Sequence, residues 1–261
     1  MNNTFSHHIT SDLIDFKYAK GASDRSGKEF HSFHEIIYLI DGEVEFISDN
    51  IHTQLESGCL VVIPKNSYHQ FIIKGNQNQY HRCVFNFFDI DELVPLIEQK
   101  LTGVYICNLD KNQKYLMDKM ITLNTSNMDK KALCSIARSA LTLLLTELSF
   151  SDRLSPASQL SAATQNAVEL INKRLCENIS VSDLAQSLNV SVSGLAHTFK
   201  SEMHISIYKY ILKKRLQLAH EKLLQGKPST LVASECGFYD YSGFYKVYKK
   251  EFGTPPSYTI R

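Results

Sequence analysis

A helical pattern in the last third of the chain occurs twice, and no other feature constrains the fold as strongly. The first copy runs Asp183-Leu184-Ala185-Gln186-Ser187-Leu188-Asn189-Val190-Ser191, followed by Leu195 and Phe199. The second runs Leu231-Val232-Ala233-Ser234-Glu235-Cys236-Gly237-Phe238-Tyr239, followed by Phe244 and Tyr248. In each copy a short helix carries a small Ala, and a residue able to take positive φ (Asn189, Gly237) stands four positions later. A second apolar helix begins soon after. That is the pattern of a helix-turn-helix, present twice. The alanine matters because the two helices of a unit cross closely there, and a larger side chain would displace the second one. Two such units on one chain point to a surface that reads double-stranded DNA.

At 261 residues the chain is long enough for two domains, each with its own core. The formal charge of +1 hides a division. Residues 157–261 carry 13 Lys and Arg against 8 Asp and Glu, net +5, whereas residues 1–156 carry 15 against 19, net −4. The basic half is the half with the repeat. Six cysteines (Cys59, Cys83, Cys107, Cys134, Cys176, Cys236) are scattered without a CxxC pair, mostly among apolar neighbours, and read as reduced core thiols of a cytoplasmic protein. The N-terminus shows no apolar signal core, and no stretch approaches eighteen uncharged apolar residues. No membrane is expected as a partner.

From Phe30 to about Phe88 short apolar and aromatic runs alternate with turn signals at Asp41-Gly42, Ser57-Gly58, Pro64-Lys65-Asn66 and Lys74-Gly75-Asn76. Closely spaced short strands of this kind make a barrel or sandwich. Helical spacing takes over at 112–123 and 130–150, and the second stretch is too apolar for a lone surface helix. It needs a partner surface, in its own domain or in another subunit. Ser151 to Ser158 reads as a linker around Pro156. The remainder is helical, and a helix over about 206–225 joins the two repeated units. Twenty residues make a rod of about 30 Å. One turn of B-DNA is about 34 Å, so a stiff spacer of that length sets two recognition helices in successive major grooves.

The stretch 181–257 resembles the AraC/XylS family of transcription regulators. The residues that carry the likeness are Asp183-Leu184-Ala185, then Ser191 with Leu195 and Phe199-Lys200, then Arg215, Ala219 and Leu223-Leu224, and finally Val232-Ala233, Gly237-Phe238, Phe244, Tyr248-Lys249-Lys250, Gly253 and Pro256-Ser257. The chain departs from the family pattern at three places. His204 stands where a Gly is usual, which predicts a strained helix end. Ser229 replaces an apolar residue, and Tyr258 and Arg261 are displaced from the usual ending. In the N-terminal part, His31-Ser32-Phe33-His34-Glu35, Gly42, Gly58, Pro64 and His69 resemble the cupin-type sensor domain common in that family. The resemblance implies an α+β multidomain chain: a cupin-like effector-sensing β barrel over 1–110, a helical dimerisation region and linker over 111–155, and a DNA-binding domain over 156–261 with two helix-turn-helix units joined by a long helix.

The family's docking implies base contacts from Ser193, Ala196 and His197 of the first recognition helix and from Tyr241, Ser242, Tyr245 and Lys246 of the second. Lys200, Lys249 and Lys250 are expected on phosphates, and Tyr248 in the core. Arg215 shares the packed face of its helix with Ala219 and Leu223 and is expected to pair internally with an acid. His31, Glu35 and His69 match metal positions of catalytic cupins, with Glu29 where another His is usual, so a metal is chemically feasible there. The expectation is instead that the three residues hydrogen-bond a small polar effector such as a sugar, with no cofactor and no enzymatic activity. The expected protein is a cytoplasmic homodimer joined through 130–150, with Leu144 and Leu148 in the contact. It binds promoter DNA and, as an activator, recruits RNA polymerase. Two rivals stay open: a metal-dependent cupin isomerase or dioxygenase fused to a DNA-binding module, and a barrel that serves dimerisation alone. Stoichiometric Fe, Mn, Ni or Zn in the purified protein would identify the enzyme.

Overall fold

The computed structural model describes residues 4–10, 14–21, 30–75, 79–88, 90–100, 103–123, 129–150 and 160–258. The linker read at 151–158 and the terminal Arg261 lie outside them. The chain forms two compact units, residues 1–29 with 33–159 and residues 30–32 with 160–261.

The first unit contains β1 (Thr4–Thr10), β2 (Ile14–Lys20), β3 (His34–Asp41), β4 (Glu43–Ser48), β5 (His52–Leu55), β6 (Cys59–Ile63), β7 (His69–Lys74), β8 (His81–Phe87) and β9 (Tyr105–Asn108). They form a six-stranded sheet in the order β1-β2-β8-β3-β6-β9 and a three-stranded sheet in the order β5-β4-β7, with antiparallel pairing throughout. Strand β3 is buried on both faces, and its period of two divides its side chains between two cores. Ile37 and Leu39 join Val61 and Ile63 of β6 and Val44, Phe46 and Leu55 of the small sheet. Ile36 and Tyr38 point the other way, into a cluster with helices α1 (Lys111–Leu123) and α2 (Lys130–Ser149).

That second cluster explains the apolar excess of α2. Ala137, Ala140, Leu141, Leu144, Leu145 and Leu148 all pack into it. The partner surface of 130–150 is therefore the unit's own sheet, and Leu144 and Leu148, expected at a subunit contact, are core residues. Leu143 and Phe150 are the large apolar residues this segment leaves exposed. By length and composition, with a mean hydropathy of 1.3, Lys131–Ser149 is apolar enough to cross a membrane, although Arg138 and Glu147 interrupt it. The packed face accounts for that apolarity.

The second unit holds α3 (Ala162–Lys173), α4 (Val181–Ser187), α5 (Val192–Met203), α6 (Ile207–Leu224), α7 (Ser229–Glu235) and α8 (Tyr241–Phe252). The pairs α4–α5 and α7–α8 close by the same local bonds. Val190 N donates to Ala185 O at 3.0 Å, and Phe238 N to Ala233 O at 3.1 Å. Asn189 (φ 53°) and Gly237 (φ 78°) take the left-handed conformation in the two turns. The recognition helices are capped alike, by Ser191 Oγ on Gly194 N at 3.1 Å and by Asp240 Oδ1 on Gly243 N at 2.7 Å. Ala185 and Ala233 are buried at the crossings. His204, at the end of α5, is left-handed (φ 51°), as its departure from Gly predicts.

Among the described residues no acid pairs with Arg215 on α6. Its guanidinium donates to the backbone oxygens of Leu175 (2.8 Å), Gly237 (2.8 Å) and Glu177. Burial lowers its pKa, the cost of desolvating the charge. Four cysteines are buried, but Cys176 is exposed and Cys134 half-buried, so the reading of all six as core thiols holds for four.

Two predictions follow from the second unit. Gly237→Ala would place a Cβ 2.8 Å from the Cys176 carbonyl oxygen and 3.0 Å from the Arg215 guanidinium carbon, at a φ that already strains alanine. It should cost about 3 kcal/mol, against about 1 kcal/mol for Asn189→Ala, whose strain is conformational only. Urea unfolding followed by helical circular dichroism compares the two. The other concerns His220, which stacks on Phe252 at 4.4 Å and has Nδ1 2.6 Å from the Tyr248 hydroxyl. Burial lowers its pKa below 6.5, so the fold favours the neutral ring. Its contribution is complete above the unfolded value of about 6.5 and is lost as pH falls from there through the folded value, because the unfolded chain takes up the proton first. The melting temperature should drop below about pH 6.5, and less steeply in His220→Gln.

Candidate nucleic-acid interface

The recognition helix α5 buries Leu195, Phe199 and Met203 and exposes Ser193, Ala196, His197 and Lys200. Val192, at its first position, and Val190, in the turn, are exposed apolar residues that the sequence reading did not single out. No long side chain stands at 193, 194 or 196. The start of this face offers shape and methyl groups more than hydrogen bonds, and His197 and Lys200 are its extended polar side chains.

Helix α8 buries Phe244 and Tyr248 and exposes Tyr241, Ser242, Lys246, Lys249 and Lys250. Tyr245 is half-buried, with its ring 6.4 Å from that of Tyr241. The Tyr241 hydroxyl lies 3.0 Å from the Ser229 hydroxyl. Ser229 therefore ties the start of α7 to the start of α8, which fixes the Tyr241 ring along the helix pair. Tyr248 sits in the core with Phe244 and Ala219, as expected.

Counting from the left-handed residue, the second turn is one residue longer than the first. Asn189 precedes the Ser191 cap by two positions, whereas Gly237 precedes the Asp240 cap by three. Tyr239 occupies the longer turn and is fully exposed beside the N-terminus of α8. The sequence did not separate it from Tyr241, Tyr245 and Tyr248, because not all four tyrosines can face outward and an aromatic in such a run also reads as core.

Not every lysine of this unit faces outward. Lys222 and Lys227 (3.2 Å) both contact Glu235, and Lys213 of α6 contacts Glu251 of α8. The cations that remain on the recognition helices are Lys200, Lys246, Lys249 and Lys250, all exposed. Lys200 lies in the last turn of α5, and Lys249 and Lys250 in the last turn of α8. Between the two pairs runs α6, 18 residues and about 27 Å long.

In the first unit Glu35 and His69 come together, with Oε2 and Nε2 3.3 Å apart and both residues buried. His69 Nδ1 lies 3.2 Å from Ser67 O. His31 is buried too, and its ligand atom lies within 4.8 Å of those of Glu35 and His69. The carboxylate and imidazole of Glu35 and His69 are groups that hydrogen-bond hydroxyls or ligate a divalent metal.

Comparison with known proteins agrees with both halves. Residues 184–261 match the helix-turn-helix domain family and residues 15–80 the cupin domain family. The chain is 26% identical over 229 residues to the probable transcriptional regulator LumQ of Photobacterium leiognathi, covering 87% of this chain and 89% of that one. It is 24% identical over 258 residues to the Msm operon regulatory protein of Streptococcus mutans, covering 96% and 90%. A third full-length relative, at 22% over 234 residues (87% and 84%), is the HTH-type transcriptional activator RhaS of Escherichia fergusonii. Since both domains fall on one chain in the order that these regulators align with from end to end, the chain belongs to the AraC/XylS family of sequence-specific DNA-binding transcription regulators.

Proposed function

We propose that the chain activates transcription from a promoter that it grips with both recognition helices, in response to a small polar effector such as a sugar. The observation that carries this reading is the congruence of the two helix-turn-helix units, closed by the same bonds and capped the same way, with basic or small polar residues on both outward faces. Ser193, Ala196, His197, Tyr241, Ser242, Tyr245 and Lys246 meet base edges, and Lys200, Lys249 and Lys250 meet phosphates. The buried His31, Glu35 and His69, whose ligand atoms all lie within 4.8 Å of one another, hold the effector's hydroxyls. The protein acts in the cytoplasm, performs no catalysis and recruits RNA polymerase. Effector binding changes the half-sites that a dimer can span.

The domain 157–261 alone should retard promoter DNA, with affinity falling steeply as salt rises and counterions return to the phosphates. A folded fragment that shifts no DNA at low salt would sink the reading. Within it the two helices differ in reach. Lys246→Ala should cost about 1–3 kcal/mol and relax one operator position, whereas Ser193→Ala should cost less. Selection on randomised operators measures both, and an unchanged logo for Lys246→Ala beside an erased position for Ser193→Ala would reverse the assignment.

The dimer contact moves from the buried side of α2 to its exposed side. Ile136, Leu143 and Phe150 recur every seven residues, half-buried or exposed, with the small Ser139 and Thr146 between them. Leu143→Lys should yield a folded monomer in sedimentation, because that side chain lies outside the core. A wild type already monomeric at micromolar concentration would remove the dimer from the proposal.

A further inference from the structure

Strands β5 and β9 are end strands of their two sheets, and the first unit holds a cavity of about 290 Å³ that both strands line. Its floor is closed. Thr53, Leu55, Cys59, Ile106 and Cys107 are each less than 10% exposed. Its rim is polar, formed by the exposed Gln54, Glu56 and Asn108. Asn108 Nδ2 donates to Glu56 Oε2 at 3.3 Å, which holds the carboxylate at the mouth. The lining contains no Lys, Arg or His. The floor carries no charge either, since burial pushes the Cys59 thiol up to about 12 and Cys107 nearby adds to that shift.

This site is separate from the Glu35–His69 pair. Glu35 pairs with Ile63 at one end of β6, and Cys59 opens the other end, four residues or about 13 Å away. A small cavity with an apolar floor and a few oriented polar groups at one side has the build of a small-molecule site. The polar groups here set the chemistry. A carboxylate flanked by two side-chain amides repels anions and presents oxygen acceptors, and a primary ammonium has three donors to satisfy them.

We propose that this cavity binds a small organic amine, its ammonium at Glu56 beside Gln54 and Asn108 and its compact apolar body against Leu55, Cys59 and Ile106. The site goes beyond the promoter-binding reading and does not depend on it. Nor does it depend on the role given to Glu35 and His69.

The test uses the full chain with labelled Ile and Leu methyl groups and two probes of one shape, cyclohexylamine and cyclohexanol, followed by NMR titration. Cyclohexylamine should shift the Ile106 and Leu55 methyls with a Kd at least tenfold lower than that of cyclohexanol. Glu56→Gln should weaken the amine at least tenfold and change the alcohol less than twofold; because Glu56 is exposed, the variant's methyl spectrum should otherwise match the wild type. No shift at Ile106 and Leu55 with either probe overturns the site. Equal binding of the two probes, or amine binding that survives Glu56→Gln, overturns its assignment to amines.

Discussion

The arrangement of the second unit rests on one guanidinium. Arg215 reaches from the middle of α6 to three backbone oxygens, two in the segment after α3 and one in the second helix-turn-helix turn. Each is a charge-assisted bond, and together they anchor chain segments 40, 38 and 22 residues away in sequence. Lysine would not replace it, because a single ammonium cannot span three carbonyls as a planar fork does. The junction also explains the second turn. The backbone of residue 237 passes so near the Cys176 carbonyl and the Arg215 guanidinium that no side chain fits, and glycine is required for space as well as for positive φ. The equivalent position in the first turn, Asn189, answers only to φ, which Asn tolerates.

With the frame fixed in this way, the two recognition helices face different tasks. The basic excess of residues 157–261 is smaller at the interface than the composition implies, because Lys213, Lys222 and Lys227 are bound to Glu235 and Glu251 inside the unit. What remains is weighted toward α8, with Lys246, Lys249 and Lys250 against Lys200 on α5. The longer turn before α8 adds a fully exposed Tyr239 to that side. Helix α5 presents short side chains instead, which allow its backbone close to a groove wall. Under the proposed reading, discrimination there falls to van der Waals fit and to His197.

The sequence made the helical half legible and the β half only in part, and the reason is physical. Helix-turn-helix units are built from local rules, namely caps, a left-handed turn residue and a small residue at the crossing, and all of these can be read within ten residues. The partner of Arg215 could not be read, because a backbone carbonyl has no letter in the sequence. An acid was the natural expectation for a charge on a packed face. Strand β2 was legible but passed over: Ile14 and Phe16 alternate with Asp15 and Lys17 at a strand's period, yet it lies outside the run of turn signals that marked the other strands. The excess of leucines on α2 showed that a surface was needed without saying which one. Only the sheet order reveals that β6, β3 and β8 present a wide apolar face for it. The amine cavity had no sequence signature, since it exists only where β5, β6 and β9 are brought together by two different sheets.

In the first unit the cavity and the outer helix share one apolar cluster. Cys107 lines the cavity and also belongs to the cluster that holds Leu141, Leu144 and Leu148 of α2. Close-packed interiors transmit displacement because they have few voids to absorb it. A ligand that wedges β9 away from β5 therefore presses on the apolar cluster that Cys107 shares with the buried face of α2. Leu143 and Phe150 stand on the exposed side of that helix segment, so a shift or rotation of α2 carries them along. For such a ligand to act as an effector it need only bind one position of β9 better than the other, since the population shift equals its differential affinity. Such a coupling would run within one unit, through one shared apolar cluster, and would need no rearrangement of the sheet order.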